Sequence, residues 1–148
     1  MLFRSQLANG QLAPLPEGVQ DVASQFVQMT WLFLTRPDRL QPGAKVEFPL
    51  ALPRRVGRWT YLVQERGPLS LPFGTIDAVH LVPQRDLSKP GELSVELWVA
   101  PGLMYLPVRI LTRFDDKTYM DMLMDNLPRQ ADLDATRKAR RERPPGTR

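Results

Sequence analysis

Proline constrains this fold more than any other feature. The chain holds 15 prolines in 148 residues, about twice ordinary usage. Inside a helix, proline removes a backbone donor and clashes with the preceding turn. It is tolerated at turns, strand starts and sheet edges. This argues against a helical bundle and for strands, turns and extended segments. Against that background one helix is legible. Asp21 stands as its N-cap. Val22, Phe26, Met29 and Phe33 follow on one helical face. Val27, Trp31 and Leu34 form a second apolar stripe, which predicts a helix covered on more than one side. Pro37 ends it, because the residue before proline avoids helical angles.

After Pro42-Gly43 the period changes to two. Val46, Phe48 and Leu50 alternate with Glu47 and Pro49, the proline marking an edge or a kink. Trp59, Tyr61 and Val63 form the next strand, and Gly67-Pro68 reads as a turn. Gly74 opens a run from Thr75 to Val82, and Lys89-Pro90-Gly91 reads as a further turn. Leu93, Val95, Leu97 and Val99 face one way, with Ser94, Glu96 and Trp98 facing the other. Val108, Ile110, Thr112 and Phe114 alternate with Arg109, Leu111 and Arg113. Asp115-Asp116-Lys117 connects them to Met120, Met122 and Met124. Five or six closely spaced strands without intervening helices predict an antiparallel meander. The expected fold is α+β, mainly β: a curved meander sheet packed on one N-terminal helix, or an incomplete barrel. Residues 1–17 read as a lead-in loop, 18–127 as a single β-rich domain, and 128–148 as a disordered basic tail.

Charge supports that division. The net charge is +4. Seven basic and three acidic residues lie from Pro128 to Arg148, so the tail accounts for the excess and the body is neutral. The tail has almost no large apolar residue after Leu133, too little to offset its ordering entropy. No aromatic residue interleaves its charges, and no nucleic-acid partner is expected. The most apolar stretch, Val22 to Leu34, is too short to span a bilayer, and the first ten residues lack a signal-peptide core. The chain read alone would stay where it is made.

The residues that carry chemistry are few. There is no cysteine and one histidine, which excludes thiolate metal sites, a cysteine nucleophile and His-rich cages. His80 is the candidate general base, although an ordinary strand histidine is the simpler reading. Asp115, Asp116, Asp121 and Asp125 lack the spacing of a calcium loop and read as turn chemistry. Met120, Met122 and Met124 present thioethers to one face; core filling is favoured over soft-metal binding. No Walker motif or dinucleotide fingerprint is present, and no cofactor or metal is expected. Trp31, Trp59, Tyr61, Trp98, Tyr105 and Arg109 are candidates for an apolar ligand groove between sheet and helix. Arg109 is expected to pair across the hairpin with a carboxylate such as Glu96, which is favoured over binding an anionic ligand.

Two segments carry a resemblance. Gly18-Val19-Gln20-Asp21 with Ser24 opens the helix; Leu97-Trp98-Val99-Ala100-Pro101 precedes Leu106-Pro107-Val108-Arg109-Ile110. Leu69-Ser70-Leu71-Pro72-Phe73-Gly74 adds a third, shorter match. Together they resemble the C-terminal half of the bacterial family called domain of unknown function 3108. The resemblance implies an exported, periplasmic, β-rich protein in which Asp21, Gly74, Trp98, Pro101, Pro107 and Arg109 are structural motif positions. It implies no catalytic residue. If the start of the chain is genuine, the expected location is cytoplasmic. The functional expectation is a non-enzymatic envelope protein binding a lipid, another apolar small molecule or a protein partner. The alternatives are a hydrolase-like enzyme using His80 and a structural fragment without activity of its own.

Overall fold

The computed structural model describes residues 4–6, 10, 12–14, 21, 24–52, 55–84 and 93–129. The lead-in is not simply a loop. Strands β1 (Arg4–Gln6) and β2 (Leu12–Pro14) pair antiparallel, Ser5 opposite Ala13. Gly10, between them, takes the left-handed conformation (φ 82°) that glycine adopts without a Cβ penalty. Helix α1 (Ser24–Thr35) follows. The Asp21 carboxylate accepts hydrogen bonds from the Ser24 N–H at 2.9 Å and the Ser24 hydroxyl at 2.7 Å. That satisfies a donor the helix cannot satisfy itself. A 3-10 turn from Pro37 to Leu40 ends the element.

Six strands then form an open antiparallel meander in chain order: β3 (Lys45–Leu52), β4 (Arg55–Leu71), β5 (Gly74–Pro83), β6 (Ser94–Ala100), β7 (Leu106–Arg113) and β8 (Tyr119–Leu123). The expected mainly β plan with one N-terminal helix is what the chain adopts. One face is buried against α1. Val46, Phe48 and Leu50 join Trp59, Tyr61 and Val63, Leu81, Leu97 and Val99, with Met29 and Phe33 of the helix, in a single core. Each such side chain contributes roughly 1.5–3 kcal/mol on leaving water. A smaller cluster on the other face holds Leu71, Ala78, Ala100 and Val108, with Trp98 and Met124 against it.

Three expectations are corrected. Gly67-Pro68 is not a turn: it lies within β4, Pro68 opposite Asp77. The reversal comes at Pro72-Phe73, and Gly74 has φ 134°. Register shifts between Val63 and Arg66, and β3 pairs with β4 only as far as Leu62. Beyond that point β4 is an edge, where a proline does no harm. The second stripe of α1 is not covered: Val27 is 72%, Trp31 63% and Leu34 48% exposed. A single sheet layer shields only the side bearing Gln25, Met29 and Phe33. Nor do Met120 and Met122 fill a core, being 43% and 42% exposed. Strand β8 ends the sheet, and all five of its residues are exposed. The predicted turn at Lys89-Pro90-Gly91 and residues 130–148 of the predicted tail lie outside the described residues.

Candidate functional site

The residues proposed for a groove do not converge. Trp59 and Tyr61 are in the core, 2% and 1% exposed. Tyr61 receives a bond from the buried Gln25 amide at 3.4 Å. Tyr105 is the second of two left-handed residues, after Met104, in the hairpin between β6 and β7. Its ring packs on Phe33 of α1, centroids 6.2 Å apart, and its N–H donates to the Ala100 carbonyl at 2.9 Å. Pro101 opens the 3-10 turn that starts this hairpin. Pro107 sits opposite Val99, where the register shifts. Trp31 faces solvent.

Trp98 and Arg109 lie on the sheet face opposite the main core, because Leu97 and Val99 point into it and strand side chains alternate. There they join a network. His80, Trp98, Arg109 and Leu123 stand in one row across β5 to β8. The His80 ring stacks on the indole, 4.0 Å between centroids and 6° from parallel. The Arg109 guanidinium lies 4.6 Å from the indole centre on the neighbouring strand. His80 Nε2 is 3.0 Å from Glu96 Oε2, and Arg113 Nε is 3.6 Å from Glu96 Oε1. Arg109 does not hydrogen-bond Glu96 as expected. It donates to both oxygens of Asp121, at 2.9 and 2.7 Å. The diagonal neighbour on β8 offers a two-pronged geometry that the guanidinium fork fits. Those bonds hold the Asp121 carboxyl below the usual carboxylate range and raise the Arg109 guanidinium.

Asp115 is a turn residue. Its Oδ1 accepts the N–H groups of Lys117 and Thr118, each at 2.8 Å, which lowers its pKa. Among the described residues no three His, Asp or Glu side chains gather as a metal site. No helix among them is long and apolar enough to cross a membrane.

The apolar concavity lies elsewhere, on the outer side of α1. Phe26, Val27, Thr30, Trp31 and Leu34 meet Leu106 and Pro107 at the start of β7, lining a shallow groove of about 460 Å³. A second recess of about 460 Å³, beside Ser24 and Gln28, shares Val27 and Trp31 as its wall. Trp31 thus stands between the two. Of the six residues proposed for a groove, only Trp31 lines this one. The missing signal was the second helical stripe, legible as apolar but read as covered.

Among the described residues these features define a mainly β protein with an open six-stranded meander, one α-helix on one face and an apolar recess along that helix. The chain belongs to the DUF3108 family of proteins of unknown function, whose family model matches residues 9–123. No curated protein and no solved structure matches it.

Proposed function

We propose that this chain is a non-catalytic envelope protein that seats an apolar ligand, such as an acyl chain, against the outer face of α1. The carrying observation is Trp31, a large aromatic side chain 63% exposed between two recesses. Val27 and Leu34 extend the same surface. A contiguous exposed apolar strip is a feature that soluble domains reserve for binding. Among the described residues no charged side chain lines the groove, so recognition there rests on apolar contact. The envelope location rests on the family resemblance.

Native mass spectrometry of the purified full chain tests for a retained lipid, and titration with a fluorescent acyl probe measures affinity. Trp31→Ala is expected to weaken probe binding about tenfold or more, the loss of roughly 1.4 kcal/mol or more, while the thermal melt stays in place. Probe binding unchanged by the substitution excludes this reading. Cell fractionation tests the location.

A second reading, acid–base catalysis by His80, is favoured by one distance, the 3.0 Å between its Nε2 and Glu96. It is weaker. The imidazole is stacked on Trp98, and Glu96 is shared with Arg113.

A further inference from the structure

The two edges of the sheet are built differently. In β3 the ladder phase follows from the Val63 N–H, which donates to the Ala44 carbonyl at 2.9 Å. Even-numbered residues of β3 therefore bond inward to β4, and Lys45, Glu47, Pro49 and Ala51 face outward with their backbone groups. Pro49 has no N–H to offer there, and Lys45 and Glu47 are exposed charges. These are devices that keep other chains off an edge.

Strand β8 has neither a proline nor an unpaired charge. The Phe114 N–H donates to the Thr118 carbonyl at 3.0 Å, and the Met124 N–H to the Val108 carbonyl at 2.9 Å. With Arg109 opposite Leu123 and Arg113 opposite Tyr119, these bonds set the phase. Met120 and Met122 turn their backbone groups inward to β7, and Tyr119, Asp121 and Leu123 turn theirs outward. Among the described residues no strand accepts them. The strand contains no lysine or proline, and its one charge, Asp121, is held by Arg109.

We propose that a second copy of this chain pairs antiparallel with β8, about a twofold axis through Asp121. That register uses the whole strand. Tyr119 lies opposite Leu123 of the second copy, and Asp121 opposite its equivalent, so every outward N–H and C=O finds a partner. Met120 lies opposite Met122 of the second copy in a pair without hydrogen bonds, where side chains approach most closely. Lys117 and Asp125 lie just beyond the two ends of the strand, so opposite charges of the two copies flank the new edge at each end. The like charges at Asp121 are each neutralised by their own Arg109. Such an interface is self-complementary, as a twofold dimer requires. It also covers Tyr119, Met120, Met122 and Leu123, all at least 42% exposed in the single chain.

Light scattering of the full chain over a concentration series, with residue-resolved amide exchange, tests this. The expected mass approaches twice 16.9 kDa at high concentration. Amide protection at Tyr119, Asp121 and Leu123 is expected to rise with concentration, while that at Met120 and Met122 stays constant. Leu123→Pro removes an outward donor without touching the ladder to β7, and is expected to halve the mass while keeping the melt. Met122→Lys, at an exposed position, is the second variant and is expected to do the same. A mass of 16.9 kDa at every concentration overturns the proposal. So does a dimer that survives whichever of these variants folds, or protection at the three outward amides that is independent of concentration.

Discussion

Trp98 and Arg109 stand opposite each other across β6 and β7, and the guanidinium lies 4.6 Å from the centre of the indole. The same guanidinium grips Asp121 on β8 with two bonds, while His80 on β5 stacks on the indole from the other neighbouring strand. A row of side chains thus ties four consecutive strands together on the face away from α1. Arg109 belongs to the Leu-Pro-Val-Arg-Ile segment, and its role here is to hold the last strand to the sheet.

Removing that tie destabilises the end of the meander. Arg109→Ala loses a charge-assisted bidentate pair and a cation–aromatic contact. Both are partly exposed, so the combined cost is about 1–2 kcal/mol. In a domain of this size that lowers the melting temperature by roughly 3–7 °C. Arg109→Lys keeps the charge but not the fork, and recovers only part of the loss. Thermal melts of the three proteins measure this; an alanine variant as stable as the parent contradicts the assignment.

Acid releases the same contact. Hydrogen bonds from Arg109 hold the Asp121 carboxyl below its ordinary value. A group lowered in the folded state stabilises it above the unfolded value, about 4. That contribution disappears as pH falls through the lowered folded value. Denaturant unfolding of the parent and Asp121→Asn should show a constant difference from pH 7 to about pH 5. The difference should close towards pH 2. A gap that widens in acid has the wrong sign for this pair.

The hairpin between β4 and β5 depends on Gly74. Its φ of 134° lies where side chains are rarely accommodated, yet a Cβ there meets no atom within 4 Å. The penalty for Gly74→Ala is therefore backbone strain alone, about 1–2 kcal/mol. Equilibrium unfolding checks the value. A neutral substitution means that the turn relaxes to another conformation.

How much of this was legible follows from what each signal reports. The period of two marked five strands of the main sheet, because it is a local property of the pleat, and β5 was legible as the apolar run opened by Gly74. The helix and its Asp21 cap were legible for the same reason. Gly67-Pro68 misled because turn chemistry and edge-strand proline look alike until pairing is known; β3 begins at Lys45, opposite Leu62, and covers only the first half of β4. The exposed stripe of Val27, Trp31 and Leu34 misled because an apolar pattern says what is sticky, not what covers it. Arg109 was placed in a cross-strand pair correctly in kind, but the choice of Asp121 over Glu96 depends on register, which no local pattern carries. The candidate groove failed to assemble because aromatic residues named one by one fell on both faces of the sheet and on both sides of the helix.

His80 and Trp31 separate the two functional readings. His80 lies on the sheet face away from the core packed by α1, and its contacts are the Trp98 ring and the Glu96 carboxylate. Trp31 lies on the helix, in the wall of the apolar groove. If the helix surface binds the ligand, Trp31→Ala abolishes most acyl-probe binding and His80→Ala changes it less than about twofold. His80→Ala should then read as loss of the stack on Trp98 and of the Glu96 contact, about 1–2 kcal/mol in stability. If His80 is an acid–base group, an activity found in a hydrolase substrate screen disappears in His80→Ala and survives in Trp31→Ala. Paired titrations and melts of these two variants decide between them, because each substitution touches one face of the molecule and leaves the other intact.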